Sequence, residues 1–267
     1  MHLTPRASCV LATALFLGTV ALVGAPMSAQ QARDFQWRGT VLQGNAIEIK
    51  GVNGDVAAQL ATGADVEVTA VKRGRKSDPE SVRIEVVQHG DGVTICAVYP
   101  DTDGRPNECK PGNEGRMNVR DNDVNVTFTV KVPSGVRFVG RTVNGDVTAN
   151  ALSGPVSLRT VNGSAEFSTS AFGDASTVNG SIRGSLGSGT WSGDLEFNTV
   201  NGSVTLDLPA DVQSDVRATT VNGDIQTDFP LTITGRVNPR RLTGTIGAGG
   251  RSLSIETVNG GVKLRRR

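Results

Sequence analysis

The sequence predicts an all-β chain built as a parallel β-solenoid, a β-helix-like stack of roughly 20-residue repeats preceded by a less regular β region. Three observations predict it. Val-Asn-Gly occurs seven times, with its Asn at Asn53, Asn144, Asn162, Asn179, Asn201, Asn222 and Asn259, and six copies read Thr-Val-Asn-Gly. Short runs rich in Val, Ile and Thr alternate apolar and polar residues in period two, the mark of a strand with one buried face. Beyond the N-terminal segment, no stretch carries a helical stripe.

Residues 1–29 read as a signal peptide. Arg6 gives a basic start, Val10 to Val23 is apolar and uncharged, and Ala25-Pro26-Met27-Ser28-Ala29 supplies the small residues of a cleavage site, with cleavage expected after Ala29. The apolar run is short for a membrane span, so the mature chain is expected to hold no transmembrane helix. Cys9 precedes that run, whereas a lipid-acceptor cysteine would follow it.

Residues 30–133 form the irregular β region. Strands are expected at Ala46 to Lys50, Asp65 to Lys72, Val82 to Val87, Val93 to Val98 and Val124 to Val132, and Pro133-Ser134-Gly135 breaks the last of them. Cys96 and Cys109 lie 13 residues apart, and in an oxidising compartment such a pair reads as one disulfide closing the polar loop Tyr99 to Gly115.

Residues 134–267 carry the regular repeat and are read as continuous with the preceding region. From Asn144 the intervals are 18, 17, 22, 21 and 37 residues, and Leu242-Thr243-Gly244-Thr245-Ile246 reads as a degenerate copy dividing the last into 21 and 16. Stacked units would line a shared core with Val143, Val147, Val161, Val178, Ile182, Val200, Val204, Val221, Ile225, Val258 and Val262. Asn-Gly suits a bend because both residues accept positive φ, and repeated Asn side chains can form a ladder. Asn-Gly is also the strongest short hairpin signal, so an antiparallel meander competes with the solenoid. The two differ in pairing: across each Asn-Gly, or one period apart. Arg265-Arg266-Arg267 is expected to block the end of the stack against edge-to-edge growth.

The run Gly244 to Leu264, the Thr-Val-Asn-Gly-Asp/Ser series and the Phe35-Gln-Trp37 opening resemble the bacterial putative adhesin family of unknown function. The resemblance implies an exported or envelope-associated β-solenoid and carries over no catalytic residues, because fold does not fix function.

The residues themselves argue against chemistry. Lys+Arg 27 against Asp+Glu 26 leaves the chain near neutral, and no basic patch is interleaved with aromatics, so nucleic acid is not an expected partner. His89, the sole histidine after the leader, reads as a solvated turn residue. With two cysteines it is too few ligands for zinc. Asp55, Asp146 and Asp224 follow Asn-Gly in three copies; Asp146 and Asp224 would stand about 19 Å apart, beyond the reach of a carboxylate pair. They read as turn chemistry.

Calcium is weighed at Asp101-Thr102-Asp103-Gly104 with Asn107 and Glu108, and at Asp121 to Asn125. Neither fits the twelve-residue loop. No cofactor or metal is expected. The function predicted is an exported, non-enzymatic, adhesin-like protein of the periplasm, cell surface or exterior, holding an envelope polymer, surface or protein. The alternatives are a sensor module of envelope stress and a sugar-cleaving β-helix using carboxylates such as Glu166 and Glu196, for which aromatic platforms are sparse.

Overall fold

The computed structural model describes residues 34–101, 104–233 and 238–267. The expected signal peptide, 1–29, lies outside the described residues. Among these, strands gather into two large, mostly parallel sheets enclosing one apolar core. The first sheet runs in the order Asp34–Gly39, Val66–Arg73, Asn125–Val132, Val56–Leu60, Val147–Leu152, Ala165–Thr169, Ile182–Leu186, Val204–Leu208, Val262–Arg266, Ile225–Thr227. The second runs Thr232–Ile233, Arg241–Ile246, Ser214–Thr219, Ser252–Glu256, Leu195–Asn198, Gly173–Ser176, Val156–Arg159, Arg137–Arg141, Ala46–Lys50, Gly92–Val98, Arg83–His89.

Each Val-Asn-Gly carries the chain from a strand of the second sheet into a strand of the first. It is an arch and not a hairpin, because the two strands it joins lie in different sheets. Equivalent residues pair in parallel one period apart: Ala165 with Ile182, and Ile182 with Val204. Alternation inside the strands follows the sequence. Val126, Phe128, Val130 and Val132 are buried, and Asn125, Thr129 and Lys131 are exposed.

The bend reverses the expected sides of its residues. Val143, Val161, Val178, Val200, Val221 and Val258, read from sequence as core, are 37–52% exposed, whereas the preceding Thr142, Thr160, Thr177, Thr199, Thr220 and Thr257 are buried. The inversion has a cause. At an arch the glycine carbonyl turns inward, and each buried threonine Oγ1 donates to the glycine carbonyl of a neighbouring layer at 2.8 Å, as from Thr177 to Gly163 and from Thr199 to Gly180. A valine there would leave that carbonyl without a partner. The valine one position on then faces outward by simple alternation.

Glycine is also required for a different reason than expected. The asparagines of the seven bends are not at positive φ, and among the seven bend glycines only Gly54 and Gly145 are. A Cβ on Gly180 would lie 2.0 Å from the carbonyl oxygen of Gly163, and one on Gly202 1.9 Å from that of Gly180. The layers approach too closely at the bend for any side chain.

The order of layers departs from the order of sequence at the C-terminal end. The Asn ladder reads Asn53, Asn144, Asn162, Asn179, Asn201, Asn259, Asn222. The final coil therefore enters between two earlier ones, and Val262–Arg266 pairs in parallel with Val204–Leu208 on one side and Ile225–Thr227 on the other. The expected terminal block at Arg265-Arg266-Arg267 is corrected: these residues end an interior strand, with Leu264 fully buried. The degenerate copy is corrected too. Arg241–Ile246 forms no bend and pairs antiparallel with Ser214–Thr219. At the other end, Asp34–Gly39, Val66–Arg73 and Asn125–Val132 add to the first sheet antiparallel to one another.

Two predictions follow from these placements. Val178→Asp leaves stability within about 0.5 kcal/mol, while Thr177→Val costs about 1 kcal/mol through the orphaned Gly163 carbonyl, as read by urea unfolding. Equal costs for the two would refute the inversion. Deleting residues 263–267 removes Leu264 and one strand of a parallel triplet, and should cost at least about 3 kcal/mol; a chain unfolding at the wild-type midpoint would show the final coil to be dispensable.

Candidate functional site

The chemistry-bearing residues gather on the outer face of the second sheet. Alternation and parallel register turn its outward positions into stripes that cross the strands. One stripe is the row of valines beside the bends. The next contains Lys50, Arg141, Arg159, Ser176, Asn198, Glu256, Thr219 and Arg241, aligned by pairing from strand to strand.

Along the bends, the seven predicted asparagines stand in one continuous ladder. Each Nδ2 donates to the Oδ1 of the adjacent layer, from Asn144 to Asn53 at 2.8 Å through to Asn222 to Asn259 at 2.8 Å. The ladder starts at Tyr99, whose buried hydroxyl is hydrogen-bonded by Asn53 and donates to the Val124 carbonyl at 2.7 Å. Burial pushes the Tyr99 phenol up to about 12, and hydrogen bonding from the backbone and side chain of Asn53 opposes the rise.

Cys96 and Cys109 form a disulfide with Cα atoms 5.7 Å apart. Cys96 faces outward from the second sheet, so the bond pulls the loop across that face and encloses a small apolar cluster with Val98, Val87 and Met117. Three sheet residues hold the loop down. Glu48, 4% exposed, accepts from the Gly112 amide at 2.8 Å and from the Thr94 hydroxyl at 3.0 Å. Arg141 lies 2.9 Å from Glu48 as an ion pair without hydrogen-bond alignment, and donates to Asn113 Oδ1 at 2.7 Å. Lys50 donates to the carbonyls of Lys110 and Glu114. Burial holds the Lys50 ammonium below its ordinary pKa, against the pull of Glu48 and Glu114. None of these three was singled out from sequence, where a charge at alternate strand positions reads only as an exposed face.

His89 is not a solvated turn residue. It ends the strand Arg83–His89, half-buried, with Nε2 3.1 Å from Thr94 Oγ1. Histidine, threonine and Glu48 thus form a chain of contacts, but in the wrong order for nucleophilic catalysis, since the hydroxyl donates to the carboxylate and Thr94 is fully buried. Two of the three Asp residues after Asn-Gly bind the neighbouring layer with their side chains: Asp55 accepts from the Asp146 amide at 2.9 Å and Asp146 from the Ser164 amide at 2.7 Å. Because the last coil intercalates, Asp146 and Asp224 are five layers apart, about 24 Å and not 19.

Glu166 and Glu196 stand exposed on different sheets, with the core between them. Phe167 and Phe197 are buried against each other at 6.3 Å, and Trp191 is buried as well. None of the three offers a stacking platform.

Of the weighed calcium ligands, Asp103 lies outside the described residues. Asp101 accepts from the Asn107 amide at 2.8 Å, Asn107 Oδ1 from the Asn118 amide, and Asp123 from the amides of Lys76 and Ser77. Those oxygens are spent on the loops. Among the described residues, no three His, Cys, Asp or Glu side chains converge on a metal-sized point, and no helix is long and apolar enough to cross a membrane.

Two grooves flank the valine ridge. One, of about 580 Å³, is bordered by Val200, Val258 and Val221 and contains Arg217, Arg241 and Glu256, none of which has an ion-pair partner among the described residues. The other, of about 560 Å³, lies at the opposite end of the ridge beside the disulfide loop.

A family model described as Toastrack DUF4097 matches residues 113–265. Among solved structures, a putative cell adhesion protein from Clostridium sporogenes ATCC 15579 is similar at 12% identity, covering 88% of this chain and 100% of its own, with a TM-score of 0.49. A putative adhesin from Bacteroides fragilis NCTC 9343 is similar at 14% identity over 86% of this chain and 96% of its own, TM-score 0.29. One from Parabacteroides merdae ATCC 43184 is similar at 12% over 87% and 96%, TM-score 0.27. No curated protein matches the chain.

The Tyr99 environment sets a pH dependence. The folded phenol titrates at about 12 against about 10 unfolded, so between those values the unfolded chain has lost a proton that the folded chain keeps. Stability should be fully present below pH 10 and fall by up to about 1.4 kcal/mol per pH unit on the way to pH 12. Comparing unfolding free energies of wild type and Tyr99→Phe across this range isolates the effect; parallel curves would refute it.

Proposed function

This chain belongs to the Toastrack DUF4097 family, and we propose that it is an exported, non-enzymatic, adhesin-like solenoid that holds an envelope polymer, surface or protein. The observation that carries the reading is the outer face of the second sheet. There an exposed valine in each of the six Thr-Val-Asn-Gly layers forms a ridge along the stack, beside a groove with two guanidiniums and one carboxylate that have no ion-pair partner among the described residues. A contiguous apolar stripe edged by polar residues is the kind of exposed patch that marks a binding surface. Its repeat, one layer every 4.8 Å or so, suits an extended partner whose weak contacts add along the stack.

The non-enzymatic part of the reading is supported by how the polar groups are spent. The buried carboxylate Glu48 is engaged by Arg141 as an ion pair and by hydrogen bonds from the Thr94 hydroxyl and the Gly112 amide. The lining of the larger groove holds no aromatic residue to stack a sugar ring. Export rests on the 1–29 segment and on a disulfide that an oxidising compartment would preserve.

The test is binding of the purified mature chain to an array of envelope polysaccharides and to intact envelope fragments. Val200→Asp with Val258→Asp, and separately Arg217→Gln with Arg241→Gln, should each weaken retention about tenfold or more. Retention of nothing, or undiminished retention of both double variants, would overturn the reading.

A further inference from the structure

The groove beside the disulfide loop differs from the larger one in having two apolar walls and a charged floor. Val52 and Val143 of the ridge form one wall. Met117 and Val119, on the limb that returns from the disulfide, form the other, and both are part-buried against the main core. Lys50 and Arg141 are register partners on adjacent strands and make the floor. The loop wall is fixed from behind by the disulfide and by the contacts of Glu48, Lys50 and Arg141 to residues 110–114.

The floor holds two cations; the carboxylates near them are Glu48 and, acting on Lys50 from farther off, Glu114. Among the described residues, Glu48 is the one carboxylate within ion-pair distance, and it lies against Arg141. Lys50 has only carbonyl acceptors, so its charge meets no direct counter-ion. A part-buried cation with partial solvation and no carboxylate in contact gains from an arriving anion, more so in a site screened from water. Asp121 at the rim is exposed and faces Arg120 at 3.7 Å, and does not fill that role.

We propose that this groove binds an amphipathic anion, with a carboxylate or phosphate head seated on Lys50 and Arg141 and an unbranched apolar tail lying between the Val52–Val143 and Met117–Val119 walls. The site is separate from the long-face reading above and stands or falls without it. A neutral tail would leave the floor cations uncompensated, and a cationic one would be repelled by them. The volume falls within the range of small-molecule sites.

The test uses the full oxidised chain labelled with ¹³C-methyl methionine, the Met117 signal being assigned with Met117→Leu. Decanoate and decyl phosphate are titrated below their micelle-forming concentrations, with decanol and decyltrimethylammonium as controls. The expected result is a saturable, single-site shift of the Met117 methyl with one or both anions, the two arms showing which head is preferred. Lys50→Gln should weaken binding about tenfold. Since Lys50 also holds the loop, the decisive variant is Val143→Asp, which places a carboxylate in the groove from an exposed position; it should weaken binding at least as much, while Val178→Asp, two layers away along the same ridge, should not. No saturable shift with either anion, equal binding of the neutral or cationic compound, or equal losses for Val143→Asp and Val178→Asp would each overturn the proposal.

Discussion

The threonine-to-glycine hydrogen bond at each bend is the constraint on which the rest of the structure depends. An arch between two sheets leaves a carbonyl turned into the core, and a buried acceptor without a donor costs about 1–3 kcal/mol. A buried threonine hydroxyl supplies the donor, at 2.8 Å in all six Thr-Val-Asn-Gly copies. Because donor and acceptor sit in neighbouring layers, the bond can form only when the layers are in register. The asparagine amides add a second in-register ladder outside, and the close approach that both require excludes any Cβ at the glycine. Four residues thereby fix the pairing direction, the register and the spacing of both sheets.

The same constraint explains how the C-terminal coil can enter out of sequence order. A layer is recognised by its bend, and every complete bend offers the same donors and acceptors. The Asn259 bend fits between those of Asn201 and Asn222, with Thr257 donating to Gly202 and Thr220 donating to Gly260. What breaks the degeneracy is the stretch after Ile225–Thr227. It leaves the first sheet, runs antiparallel on the second as Thr232–Ile233 and Arg241–Ile246, and returns on the inner side of its own layer. Local self-similarity sets what can stack, and the connection sets the order.

How much of this was legible follows from what sequence patterns record. Period-two alternation located five strands of the irregular region to within a residue or two, because alternation is a property of one strand, and it missed Asp34–Gly39 and Val56–Leu60. The parallel pairing followed from identical residues recurring at one period. The side of the bend residues was not legible: Val is more apolar than Thr, and only the inward glycine carbonyl, a feature of the arch, makes threonine the buried one. Nor was the floor of Lys50 and Arg141, residues 91 positions apart that become neighbours when the Asn53 layer meets the Asn144 layer. Cys96 and Cys109 were readable as a pair, yet what their bond covers depends on which face Cys96 presents. Glu48 and Tyr99 gave no signal, since their roles rest on contacts distant in sequence.

The ends of the stack show how a self-templating scaffold is kept from growing. A ladder of amides has a direction, with a free donor at one end and a free acceptor at the other. The donor end is closed: Asn53 meets the buried Tyr99 hydroxyl, and beyond it Asn125–Val132 adds one more parallel strand before Val66–Arg73 and Asp34–Gly39 turn the first sheet antiparallel. An antiparallel strand offers an incoming bend no matching row, so a second copy cannot continue the stack there. At the acceptor end Asn222 Oδ1 has no further layer, and Val221 is the most exposed valine of the ridge at 52%. There the first sheet finishes on Ile225–Thr227, only three residues long, and a short edge is a poor template for an added strand. Chemistry closes one end and brevity the other, so neither edge of the first sheet repeats the full pattern that makes the layers interchangeable.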